Sequence, residues 1–103
     1  MAQRIKLDLN NPVFQEDLVN LEKDELVRVR NCLKKLLQLD WDQLYRDQGK
    51  KWEKIISIDP PKGVDAFYSF RITQARRAIA IRQVDYLRIL SIQPDHDATY
   101  GKK

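Results

Sequence analysis

The sequence predicts an α+β fold: an N-terminal strand, then two to three helices packed on one face of a twisted, mainly antiparallel sheet of about four to five strands. Three observations predict it. Runs that alternate or are rich in β-branched and aromatic residues lie at both ends of the chain, Gln3 to Leu9 and beyond Lys51. Apolar residues at helical spacing fill the stretch between them. The last runs are joined by connections of two to four residues, which force antiparallel neighbours because parallel strands need long crossovers.

Gln3 to Leu9 sets Ile5, Leu7 and Leu9 against Arg4, Lys6 and Asp8, the period of a half-buried strand. Asn11 is placed to cap a first helix, with Pro12 at its first position and Phe14, Leu18 and Leu21 at helical spacing. Asp24 is placed to cap a second helix running to about Leu39. Its stripe of Leu26, Val29, Cys32, Leu33, Leu36 and Leu37 has the rhythm of a face lying on a core. On that stripe Cys32 is a small buried apolar residue, not a nucleophile. Asp40-Trp41-Asp42-Gln43 has capping-box spacing and opens a short third helix, ended by Gly49. Lys50 to Ile58 reads as a strand from about Trp52, and Asp59-Pro60-Pro61-Lys62-Gly63 as a loop. In Ala66 to Thr73, alternation puts Tyr68, Phe70 and Ile72 on one face and Ser69, Arg71 and Thr73 on the other. Arg77 to Gln83 and Tyr86 to Ile92 complete the set, with Val84-Asp85 as the turn. The first strand returns to pair in the sheet, but its neighbour is not fixed by element order.

At 103 residues, positions 1–103 read as one domain. An apolar share of 43% with 33% charged residues suits a soluble globular protein. No apolar run approaches the roughly 18 residues of a membrane helix, and the N-terminus lacks the apolar segment of a signal peptide. A single cysteine fits a reducing compartment, hence the cytoplasm. One cysteine and one histidine give no metal-ligand spacing, so no metal or cofactor is expected. Neither a nucleophile elbow nor a glycine-rich phosphate loop is present.

Charge is uneven. Residues 1–48 hold 8 Lys+Arg and 9 Asp+Glu, whereas residues 49–103 hold 11 and 6. A basic half suggests a polyanionic partner. Arg71, Arg76, Arg77, Arg82 and Arg88 crowd the last three strands. Like charges facing each other on a sheet are costly unless an anion lies between them, and an arginine fork matches a phosphate. The competing reading pairs these arginines with Asp59, Asp85 and Asp95. His96 is the one group titrating near neutral pH, either as a surface residue or as a proton donor. RNA cleavage by side chains alone needs a base at the ribose 2′-hydroxyl, cations at the phosphate and an acid at the leaving oxygen. Glu53, then Arg71 and Arg77 with Lys50, Lys51 and Lys54, then His96 fit those parts. Trp52 is either a core residue or, like Tyr100, a platform for bases.

Residues 68–80, Tyr-Ser-Phe-Arg-Ile-Thr-Gln-Ala-Arg-Arg-Ala-Ile-Ala, resemble a pattern of the RelE/ParE superfamily of bacterial toxins. Its YoeB-like members carry Trp-Ser-x-Arg-Ile-Thr followed by a His-Arg-Leu-Val-Tyr strand. Arg77 then falls at the family's phosphate-contacting arginine. Lys51-x-Glu53 is similar to the segment with the family's general base, while His96 and Tyr100 match its C-terminal His and Tyr loosely, with three residues between them. The resemblance implies a RelE-like fold and a type II toxin that cleaves mRNA on the ribosome without a metal. It implies Glu53, Arg77, His96 and Tyr100 as catalytic residues and a cognate antitoxin as partner. Two alternatives share the fold: a ParE-like inhibitor of DNA gyrase, and a non-catalytic RNA- or protein-binding module.

Overall fold

The computed structural model describes residues 3–94. Strand β1 (Lys6–Asp8) is followed by helices α1 (Pro12–Val19), α2 (Lys23–Leu36) and α3 (Trp41–Arg46). Four strands complete the order: β2 (Glu53–Ile55), β3 (Phe67–Thr73), β4 (Arg76–Gln83) and β5 (Tyr86–Pro94). They form one five-stranded sheet in the order β1-β5-β4-β3-β2. Strands β2 to β5 pair antiparallel. The neighbour that element order left open is β5, which β1 joins in parallel, Leu7 opposite Leu87.

The expected strand from Gln3 to Leu9 divides in two. Its second half joins the sheet. Its first half bonds the α2–α3 connection: Ile5 N–H donates to the Leu39 carbonyl at 3.1 Å, and Trp41 N–H donates to that of Gln3 at 3.0 Å. Asn11 caps α1 through its side chain, which accepts from Val13 N–H at 2.8 Å. Asp40 and Gln43 close the capping box of α3 reciprocally, as the spacing predicts.

The start of α2 corrects the sequence reading. Glu22 is its N-cap residue, with no side-chain cap bond, and Asp24 lies inside the first turn. There Asp24 and Glu25 favour the positive end of the helix, while Lys34 and Lys35 favour the other. The helix stops at Leu36 rather than near Leu39, because the backbone tightens: Gln38 N–H bonds Lys35 O and Leu39 N–H bonds Leu36 O, three residues back. Strand β2 is also shorter than expected. It stops at Ile55, and Ile56 is 86% exposed. The proline loop that follows contains a turn from Pro61 to Val64 and a left-handed Gly63, a conformation suited to glycine.

The core lies between the helices and one face of the sheet. Phe14, Val29, Leu36, Trp41 and Leu44 are buried there against Phe70, Ile72, Leu87 and Ile89. Two fully buried alanines of the central strand, Ala78 and Ala80, meet these large side chains. Alternation in β3 holds as far as Arg71. A register shift between Arg71 and Thr73 then turns Thr73 inward to 8% exposure, against the expectation that it shares the face of Ser69.

Cys32 is buried, as its place on the α2 stripe predicts. Burial pushes its thiol up, against opposing pulls from Lys50 and Lys35. The thiol form therefore contributes stability below the ordinary thiol range, and that contribution is lost as pH rises through the elevated folded value. Alkylation by iodoacetamide at pH 8 is expected to run at least about tenfold slower in the folded protein than in urea, since the thiolate is the nucleophile. Equal rates in the two states would contradict this placement.

Candidate functional site

The face of the sheet turned away from the helices carries the candidate site. In the β2–β3 pairing Glu53 stands opposite Ser69. In β3–β4 Arg71 stands opposite Arg77 and Ser69 opposite Ile79, and in β4–β5 Arg77 faces Gln93. Side chains alternate along a strand, so Glu53, Ser69, Arg71, Arg77 and Ile79 share this face. Glu53, Ser69, Arg77 and Ile79 border an open cleft of about 550 Å³ that also takes in Lys51, Ile55, Ser57, Ile58 and Gln93.

Arg77 is the fixed point of the cleft. Its Nη2 donates to Ser69 Oγ at 2.8 Å and to the Lys51 carbonyl at 2.8 Å, and its Nε reaches Ser69 Oγ at 3.3 Å. Glu53 Oε2 lies 3.8 Å from the same Nη2. The Arg77 side chain is 19% exposed and that of Glu53 67%, so the cation is gripped and the carboxylate is accessible. Lys51 adopts a left-handed φ of 50°, which costs a non-glycine residue about 1–2 kcal/mol. The Arg71 N–H bonds the Lys50 carbonyl at 2.6 Å and so ties this turn to β3.

A guanidinium held in advance by neighbours is a preorganised charge, and stabilisation of developing anionic charge is usually the largest contribution to catalysis. Arg71 stands opposite Arg77 in the strand pairing and adds a second positive charge to this face. The arrangement can therefore hold a phosphodiester and keep Glu53 within reach of a neighbouring hydroxyl.

The structure brings Lys51, Glu53 and Arg77 into one cleft, sets Arg71 opposite Arg77 in the strand pairing, and puts the other described candidates elsewhere. Lys54 stands opposite Tyr68, on the alternate face. Lys50 lines a different cleft, beside Cys32. Arg76 pairs with Glu25 of α2 at 3.7 Å. His96 and Tyr100 lie outside the described residues. Trp52 belongs to the helix side, half-buried and stacked on Tyr68 at 4.7 Å. Arg82 lies over the Trp41 ring at 4.2 Å and hydrogen-bonds the Tyr45 hydroxyl. Among the described residues Arg88 pairs with Asp8, Arg76 with Glu25 and Arg77 with Glu53, while Asp85, one of the expected partners, takes Lys6; Asp95 lies outside the described residues.

Two residues of the cleft were missed by sequence reasoning. Ser69 orients Arg77, and alternation with Arg71 was the signal that it lay on this face. Gln93 enters through the β4–β5 register, which sequence did not fix. Among the described residues no group of three or more His, Cys, Asp or Glu side chains could hold a metal ion, and no helix is long and apolar enough to cross a membrane.

The sequence matches no model of a known protein family and no curated protein. Solved structures do match. The archaeal RelE of a RelE–RelB complex from Pyrococcus horikoshii superposes with a TM-score of 0.58 at 19% identity, covering 91% of this chain and 96% of that one. The YoeB dimer from Staphylococcus aureus gives 0.56 at 17% identity, covering 91% and 100%. YoeB in a YoeB–YefM complex from the same organism gives 0.53 at 17% identity with the same coverage. The chain has the fold of RelE- and YoeB-like toxins.

Proposed function

We propose that this chain is the toxin of a type II toxin–antitoxin system, acting in the cytoplasm as an endoribonuclease on ribosome-bound mRNA. The observation that carries the reading is Arg77, fixed by Ser69 and the Lys51 carbonyl within a cleft that also holds Glu53, with Arg71 opposite on β4's neighbour. In this reading Glu53 takes the proton of a ribose 2′-hydroxyl, and the freed oxygen attacks the adjacent phosphorus. Arg77 and Arg71 stabilise the charge gathering on the phosphate oxygens. His96 returns a proton to the departing 5′-oxygen, and Tyr100 supports a base by stacking. The products are a 2′,3′-cyclic phosphate and a free 5′-hydroxyl, and no metal or cofactor takes part. The fold likeness to toxins solved with their partners, RelE with RelB and YoeB with YefM, supports a cognate antitoxin as the resting partner.

The test is primer extension on a defined message. Purified protein added to ribosomes programmed with that message is expected to create new 5′ ends within the A-site codon, and none on the free message. Intact message, together with arrested DNA synthesis in cells before protein synthesis falters, would replace this reading with gyrase inhibition on the same fold.

A further inference from the structure

Lys50, drawn from the same basic half as Arg77, is part of a second cationic surface. Along α2, Glu25, Arg28, Cys32 and Lys35 recur at helical spacing and form one wall of a cleft of about 610 Å³. Lys50 and the β3–β4 turn, with Thr73 and Gln74, form the other. Lys50 stands on the same cleft as Cys32.

Three cations, Arg28, Lys35 and Lys50, line this cleft against one carboxylate, Glu25. Glu25 is shared by Arg28 at 3.8 Å and Arg76 at 3.7 Å. Asp47 receives Lys35 at 4.0 Å and the Lys50 N–H at 3.0 Å. These ion pairs are long, and Glu25 Oε2 and Arg76 Nε are buried with no hydrogen-bond partner. A concave patch with surplus positive charge concentrates anions. The Arg28 and Lys35 side chains are 65% and 58% exposed, free to turn toward a ligand.

We propose that this cleft is a second phosphodiester site, which takes an RNA backbone away from the point of cleavage. The proposal rests on the reading of the chain as an RNA-cleaving protein. Neighbouring residues join the two sites: Lys50 lines this cleft and Lys51 lines the one with Arg77. An RNA that passes around this turn meets positive charge on both sides, so the turn that fixes Arg77 also orients the strand.

The other cations of α2 supply the control. Arg30 and Lys34 lie roughly 140–180° around the helix from Glu25, by the helical period. The probe is a single-stranded 2′-O-methyl RNA, which has no free 2′-hydroxyl and cannot be cut by this route. Its affinity is measured by fluorescence anisotropy across salt concentrations. Replacing Arg28 and Lys35 together by Gln is expected to lower the salt slope by about 1.4 and the affinity about 25-fold at 0.1 M salt, from about 0.7 per phosphate contact. Replacing Arg30 and Lys34 together by Gln is expected to leave the slope unchanged. Equal effects of the two pairs would overturn the second site while leaving message cleavage by the wild-type protein as a separate result. A wild-type protein with no RNA affinity at low salt would overturn the second site, while message cleavage on programmed ribosomes is judged separately by primer extension. Stronger binding of poly-glutamate than of RNA, lost in the Arg28/Lys35 variant, would overturn RNA as the ligand.

Discussion

Arg77→Ala is expected to lower message cleavage on programmed ribosomes by about 10²–10³-fold, the scale of losing one preorganised charge stabiliser. The substitution removes the guanidinium that Ser69 and the Lys51 carbonyl hold in the cleft. It leaves the adjacent core residues Ala78 and Ala80 untouched, so the circular dichroism spectrum should be preserved. Arg77→Lys is expected to recover only a small part of the activity. A single ammonium that keeps both anchoring contacts has one donor left and no fork to match a phosphate. Lys54→Ala is the matched control, since Lys54 stands opposite Tyr68 on the other face of the sheet. Cleavage by Arg77→Ala within a fewfold of wild type would remove Arg77 from the mechanism.

Trp41→Ala is expected to destabilise the fold by about 3–5 kcal/mol, the range for truncating a large buried aromatic side chain. Whole domains are stable by only about 5–15 kcal/mol. Trp41 is 2% exposed. Its indole N–H donates to the Asp85 carbonyl at 3.1 Å, which fastens α3 to the β4–β5 turn. Its ring lies under Arg82 at 4.2 Å and edge-on to Trp52 at 5.7 Å. Trp41→Phe keeps most of the buried area and loses the hydrogen bond, so about 1–2 kcal/mol is expected. Urea denaturation followed by far-ultraviolet circular dichroism measures both. A loss below about 1 kcal/mol for Trp41→Ala would show that the site collapses around the gap.

Local rules were legible and long-range ones were not. Asn11, Pro12 and the Asp40–Gln43 box carry their helix starts in side-chain chemistry that acts over three residues, and the structure has them so. Asp24 failed because the turn before it left the capping place to Glu22, a residue with no side-chain bond to advertise it. The pairing of β1 with β5 depends on contacts across nearly the whole chain, which no local pattern encodes. The same division runs through the site. Alternation in β3 put Ser69 and Arg71 on one face, whereas the partners of Arg76, Arg77 and Arg88 follow from strand register and helix packing. Lys50 and Lys51 are adjacent in sequence yet line different clefts, because a left-handed residue stands between the turn and β2.

The place of β1 has a consequence for synthesis. Lys6 is made well ahead of its partner Tyr86, which follows 80 positions later. Closing so large a loop comes late and costs chain entropy that only the finished sheet offsets. A chain interrupted before Tyr86 would leave β1 without its neighbour and the backbone edge of β4, the strand bearing Arg77, bare to water. It would also lack Leu87 and Ile89, both fully buried in the complete fold. The grip on Arg77 therefore waits for β5: chains interrupted before it carry most of the arginines but not the scaffold that aims them.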